Sequence, residues 1–128
     1  MMTQLRPYEY RARLMERSNG RHPVYDGDTI WLTVDLGFGI TFDLGDCRLY
    51  GIDTPELRGD EIEEGKRVRD FVRALFDQPG NQTFLVRTHK QDEKGKWGRY
   101  LATVEFYDGT ILNDLLLRTG MAQPYTGS

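Results

Sequence analysis

At 128 residues the chain has the length of one domain around a single core, and 38% hydrophobic against 29% charged residues is ordinary for a soluble fold. A net charge of −3 excludes a uniformly basic coat for nucleic acid, and no apolar run approaches the roughly 18 residues that span a bilayer. The single cysteine, Cys47, excludes an internal disulfide. The arginine-bearing N-terminal stretch lacks an apolar centre, so no secretory leader is expected and the cytoplasm is the expected compartment.

Charge is unevenly spread. Residues 1 to 22 hold five arginines against Glu9 and Glu16, whereas residues 23 to 64 hold eleven acids against Arg48 and Arg58. A basic stretch follows with Arg87, Lys90, Lys94, Lys96 and Arg99. An acidic centre between basic flanks suits a cation among the acids and a polyanion on the basic groups, the alternative being a solvated surface with uneven charge.

In chain order, the alternation from Tyr8 to Leu14 predicts a strand, and residues 18 to 23 a loop. Asp26-Gly27 is expected to make a two-residue hairpin turn through positive φ, with Asp28 starting the next strand, Thr29 to Val34. Gly37-Phe38-Gly39 turns the chain into a third strand, Ile40 to Phe42 and then Cys47 to Ile52, which Thr54-Pro55 stops. Asp60 and Glu63 read as a capping box for a helix whose Val68, Phe71, Val72, Leu75 and Phe76 make one apolar stripe. Gln82 to His89 is a fourth strand, Lys90 to Gly98 a basic loop, and Tyr100 to Phe106 a fifth strand. After Asp108-Gly109, Thr110 is expected to cap a short helix with Leu112, Leu115 and Leu116 on the core, closed by Gly120. Five strands in consecutive hairpins, with a helix between the third and fourth, predict a mainly β, α+β domain. Its expected form is a five-stranded Greek-key barrel of the oligonucleotide-binding type, with an open α+β sheet as the alternative.

Five carboxylate and arginine positions carry the chemistry. Asp28 and Asp53 suit a hard divalent cation, which takes oxygen ligands, and Glu56 is placed to position or deprotonate a water. Asp53 also suits a plain strand end. Arg48 and Arg99 suit a phosphodiester, because each guanidinium fork binds two oxygens. Arg48 lies an odd number of residues from Asp53, so both reach one site only if Gly51 bends the strand; a structural pair with Asp46 or Asp28 is the alternative. Lys96, Trp97 and Tyr125 supply a cation and two rings able to hold a phosphate and stack a base, or else ordinary core and surface aromatics. His22 and His89 show no useful spacing or partner, and Cys47 reads as a small core residue.

Taken in order, Asp26-Gly27-Asp28-Thr29, Arg48 through Glu56, Lys96-Trp97-Gly98-Arg99-Tyr100-Leu101-Ala102 and Asp108-Gly109 through Asn113 to Ala122 resemble the staphylococcal nuclease (thermonuclease) family. The resemblance covers about residues 8 to 122 of a single domain spanning 1 to 128. It implies an oligonucleotide-binding barrel and Ca²⁺-dependent, sugar-nonspecific hydrolysis of single-stranded or unpaired DNA and RNA, leaving 3′-phosphate and 5′-hydroxyl ends. Asp28, Asp53 and the Thr54 carbonyl would hold the metal, and Glu56 would act as base or orient the water. Arg48 and Arg99 would clamp the phosphate, with Lys96 and Trp97 at the end phosphate and base. The alternative is a noncatalytic nucleic-acid-binding or protein-interaction module of the same fold.

Three features depart from the family pattern. Trp97 stands where the family has tyrosine, and Tyr125 lies near its second stacking tyrosine. The loop at 18 to 23 is longer than usual. A monomer is expected, with a dimer as the alternative because the sequence ends at Ser128, where the family continues into a third helix that would cover that surface. No membrane partner is expected.

Overall fold

The structure, a computed structural model, describes residues 8–89 and 99–125. Its strands are β1 (Glu9–Leu14), β2 (Val24–Asp26), β3 (Thr29–Gly37), β4 (Ile40–Leu49), β5 (Ile52–Asp53), β6 (Phe84–His89), β7 (Tyr100–Glu105) and β8 (Gln123–Pro124). Helix α1 (Ile62–Asp77) lies between β5 and β6 after a short 3₁₀ turn, and α2 (Leu112–Arg118) follows β7.

The five long strands close a ring. β1 pairs with β3, β3 with β4, β4 with β7, β7 with β6, and β6 returns to β1. This is the expected barrel of the oligonucleotide-binding type, with the helix between its third and fourth long strands and a short helix after the fifth. Closure leaves these strands without a free edge along the paired stretch. One connection differs from consecutive hairpins: β4 and β7 run parallel, with Cys47 opposite Tyr100, Arg48 opposite Leu101 and Leu49 opposite Ala102. The chain crosses over through α1 and β6 between them, as a parallel pair requires.

The core follows the alternation of the strands and the stripe of α1. Ile30, Leu32, Val34, Cys47, Leu49, Val86, Ala102 and Val104 are buried inside the ring, and Val68, Val72 and Phe76 are buried on α1. Phe76, Phe84 and Phe106 meet edge to face at 5.1 to 6.3 Å, so α1 is fastened to β6 and to the end of β7. Phe71 and Leu75 are only partly buried against this cluster.

Several local expectations need correction. Gly27 and Asp28, not Asp26 and Gly27, occupy the hairpin turn, because Asp26 pairs with Thr29 across it. Neither Asp26 nor Gly27 has positive φ. Gly27 is required there for closeness: a Cβ would lie 2.6 Å from Val68 Cγ1 and 2.8 Å from Thr54 Oγ1. The third strand runs unbroken from Ile40 to Leu49, passing a bulge at Leu44, and turns at Tyr50-Gly51 before β5. α1 has no capping box, since its N-cap Glu61 makes no side-chain cap bond. Its other end is closed by side chains the pattern did not flag: Asn81 Nδ2 donates to Leu75 O, and Gln82 Nε2 donates to Phe76 O and Gln78 O.

α2 likewise starts at Ile111 without a side-chain cap, so Thr110 does not serve as one. It buries Leu112, Asn113 and Leu116, with Leu115 only half-buried. Asn113 is the unexpected member. Its Oδ1 accepts from Val104 N–H at 3.1 Å, and its Nδ2 donates to Tyr50 O at 3.0 Å and to Ala102 O at 3.1 Å. One buried amide thus ties α2 and β7 to the turn between β4 and β5, satisfying main-chain groups at each.

Candidate functional site

The turn at Tyr50-Gly51 resolves the odd spacing of Arg48 and Asp53. With Gly51 at φ +79°, the chain reverses its facing between β4 and β5, and Asp53 returns to the side of Arg48. Arg48 Nη2 donates to Ile52 O at 3.2 Å and to Asp53 Oδ1 at 3.4 Å, and lies 3.8 Å from Asp28 Oδ2. Asp46, the other partner considered for Arg48, faces Trp31 across the β3–β4 ladder.

Asp28 reaches this corner from the β2–β3 turn. It is 5% exposed, and its Oδ2 accepts the main-chain N–H of Thr54 at 3.1 Å, which binds the turn to the segment after β5. Burial and the neighbouring Asp26 raise its carboxyl to about 7, against the opposing pull of Arg48 and the Thr54 N–H. The same carboxyl also takes the Thr29 hydroxyl, at 3.4 Å to Oδ1.

Two glycines hold the segment 54–56 in register with the corner. Gly27 lets the β2–β3 turn touch Thr54, as above. Gly65 on α1 does the same from the other side: a Cβ there would lie 2.3 Å from Glu56 O and 3.0 Å from Pro55 O. Thr54 and Glu56 are thereby clamped between a turn and a helix, while Arg73 fixes that helix to β2 by donating from Nε and Nη2 to Val24 O at 3.1 and 2.8 Å.

Arg99 arrives through the parallel pairing. It immediately precedes Tyr100, the partner of Cys47, and so lies just before β7, two residues ahead of Leu101, the partner of Arg48. Its Nε is buried without a hydrogen-bond partner. Asp28, Arg48, Asp53, Thr54, Glu56 and Arg99 all line one cleft of about 550 Å³. Glu56 is exposed there, its main chain held by an N–H bond to Glu61 Oε1 at 3.4 Å. Tyr125 belongs to the same corner: its N–H donates to Gly51 O at 2.9 Å, and the Arg48 guanidinium carbon sits 4.4 Å from its ring centre. Lys96 and Trp97 lie outside the described residues.

A divalent cation at this corner would meet oxygen donors. Among the described residues no three His, Cys, Asp or Glu side chains cluster as a metal site. Two carboxylates converge, however, and beside them Thr54 Oγ1 is buried without a partner. Two acids with hydroxyl, carbonyl and water oxygens would compose the kind of oxygen-donor set that a hard divalent cation takes.

Sequence reading missed other lining residues. Arg17, Arg21 and Trp31 reach the cleft from the β1–β2 loop and from β3, and Arg58 from the stretch after β5. The unusual loop length was the available signal for the first two. Both histidines do have partners: His22 Nδ1 accepts from Val24 N–H at 3.0 Å, while His89 lies 2.9 Å from Thr103 Oγ1 and stacks on Tyr50 at 4.0 Å. Cys47 is buried as expected, its thiol pushed up to about 12 by burial.

Comparison with curated proteins found no match. The family described as staphylococcal nuclease homologue matches residues 46–128, a span that includes Arg48, Asp53, Thr54, Glu56 and Arg99 and leaves out Asp28. Asp28 joins those residues by geometry, through its bond to the Thr54 N–H. With nearly two-thirds of its length matched and the barrel closed around that span, the chain belongs to the staphylococcal nuclease homologue family.

Proposed function

We propose that the protein is a divalent-cation-dependent, calcium-using nuclease that hydrolyses phosphodiester bonds of single-stranded DNA and RNA without regard to the sugar. The observation that carries this reading is the convergence of Asp28, Asp53 and Arg48 at one corner of the cleft that Glu56 and Arg99 also line. Asp28, Asp53 and Thr54 would hold the cation, which when bound supplies positive charge to polarise the phosphate and favour ionisation of a water.

The remaining chemistry belongs to side chains. Arg48 uses Nη2 within the protein, leaving Nε and Nη1 for phosphate oxygens. Arg99, with a buried Nε in need of an acceptor, serves the same phosphate from β7. Their forks match the charge that grows on the oxygens as the transition state forms. Glu56, exposed in the cleft, takes a proton from the attacking water. The water oxygen bonds to phosphorus and the bond from phosphorus to the 5′ oxygen breaks, leaving a 3′-phosphate and a 5′ oxygen that takes a proton from solvent water to become the 5′-hydroxyl. Arg99 hydrogen-bonds the departing oxygen.

The test is hydrolysis of denatured DNA and of RNA by pure protein with calcium, with chelator, and with Glu56→Gln and Arg99→Ala. Chelator-sensitive cleavage that falls on the order of a hundredfold or more in each variant is expected. Oligonucleotide binding without turnover under all conditions would instead identify a noncatalytic binding module.

A further inference from the structure

We propose that the β1–β2 loop and Trp31 form a second nucleotide subsite beside the phosphate corner. It takes the neighbouring phosphate and base of a single-stranded polynucleotide, an assignment that rests on the nuclease reading of the corner itself.

The loop is built around Trp31. Met15 N–H donates to Trp31 O at 2.9 Å where the loop begins, and Trp31 N–H donates to Pro23 O at 2.8 Å where it ends. Inside it, Gly20 N–H donates to Arg17 O at 3.0 Å, Arg21 N–H to Asn19 Oδ1 at 3.0 Å, and Arg17 Nη1 to His22 O at 3.4 Å. The Arg17 guanidinium lies over the indole of Trp31, 4.1 Å from its centre. Among the described residues neither Arg17 nor Arg21 has a carboxylate within ion-pair distance. The Arg17 guanidinium is thus held by His22 O and the indole with no ion-pair partner among the described residues, and the exposed Arg21 is anchored beside it through its main chain.

Their position is what selects the ligand. Arg17, Arg21 and Trp31 line the same cleft as Asp28, Arg48 and Arg99. On β3, Thr29 faces Arg48 across the ladder, and Trp31 faces Asp46. Trp31 is therefore one strand repeat, roughly 7 Å, from the phosphate corner and on the same face of β3. That step is comparable to one nucleotide along an extended strand. A base stacks on an arginine plane or an indole regardless of its identity. A guanidinium already ordered by an aromatic ring loses little freedom on taking up a phosphate. The pair therefore supplies a sequence-tolerant stack with a phosphate contact, and Arg21 supplies a further cation.

The discriminating experiment compares two substrates, a dinucleotide with one phosphodiester and an oligothymidylate of about twelve nucleotides. Wild type and the Arg17→Gln/Arg21→Gln double variant are assayed with calcium from about 50 to about 200 mM salt. Oligomer binding is followed in parallel by fluorescence anisotropy with chelator present. The variant is expected to lose about tenfold in kcat/KM and in affinity on the oligomer, with the salt slope of binding shallower by about 1.4, and to keep its rate on the dinucleotide. Thermal melting checks that both proteins fold alike.

Equal rates and affinities for variant and wild type on the oligomer overturn the subsite and leave the nuclease reading standing. Equal losses on both substrates also overturn it, assigning the two arginines a structural role. Wild type that cleaves neither substrate but binds the oligomer through these arginines removes the nuclease reading and keeps the subsite. Wild type that neither cleaves nor binds removes both.

Discussion

Arg48 divides its guanidinium between the fold and the cleft. Nη2 serves Ile52 O and the two acids, the face rests on Tyr125, and Nε and Nη1 have no hydrogen-bond partner among the described residues. A lysine has one ammonium on a flexible stem and cannot hold Asp28 and Asp53 while gripping a phosphate in two places. Arg48→Lys is accordingly expected to lower kcat on the order of a hundredfold, with the melting temperature nearly unchanged because one positive charge still faces the acids. Steady-state hydrolysis beside a thermal melt checks it, and full activity in the lysine variant would count against the two-point grip. At this scale the sequence was informative about residue types and poor about partners. Asp53 and Arg48 were visible as a pair, but their odd separation pointed to opposite faces until the Gly51 turn was in view. Arg17 and Trp31 were invisible as a pair, because fourteen positions and a strand reversal separate them.

Between elements, the contacts that matter most to the site are close approaches, which no periodicity reveals. Gly65 sits in an otherwise ordinary helix, where glycine costs stability relative to alanine, yet a Cβ there would strike Glu56 O at 2.3 Å. Gly65→Ala therefore forces α1 and the 55–56 backbone apart. The expected result is a loss of about 1–3 kcal/mol, read as a melting temperature several degrees lower, with hydrolysis falling tenfold or more as Glu56 shifts. A variant as stable and active as wild type would show that the helix yields without moving Glu56.

The end of β6 offers a second test, by pH. Desolvation, and then the charge of Arg87, hold His89 below its ordinary value. Since the folded state disfavours the proton, His89 stabilises the protein above pH 6.5, and that contribution is lost as pH falls through its folded value. His89→Gln keeps a hydrogen-bonding group beside Thr103 but cannot take up the proton. Its melting temperature is expected to fall less steeply than wild type from neutral pH toward pH 5, and identical slopes would sink the assignment.

As a whole molecule, the barrel works as a device for bringing distant residues to one place. The five long strands and the two helices follow from patterns any amphipathic reading detects, whereas the parallel β4–β7 pair, which sets Leu101 opposite Arg48 and so brings Arg99 near it, is a closure property with no local signature. The same holds for Asp28, whose bond to Thr54 spans 26 residues and fastens the β2–β3 turn to the segment after β5. A ligand at this corner therefore binds only the folded chain and must stabilise it by linkage. The gain draws on Asp28, whose carboxyl burial and Asp26 raise to about 7 although the Thr54 N–H, the Thr29 hydroxyl and Arg48 reach it, so that a cation beside it favours its charged form. At calcium about a hundredfold above its dissociation constant the gain is about 2.7 kcal/mol, visible as a rise of several degrees in melting temperature that chelator reverses. Asp28→Asn keeps an oxygen for the Thr54 N–H but removes the charge, so it should fold in the absence of calcium and show no calcium-dependent rise. A calcium response undiminished in this variant would place the cation elsewhere and detach Asp28 from the site.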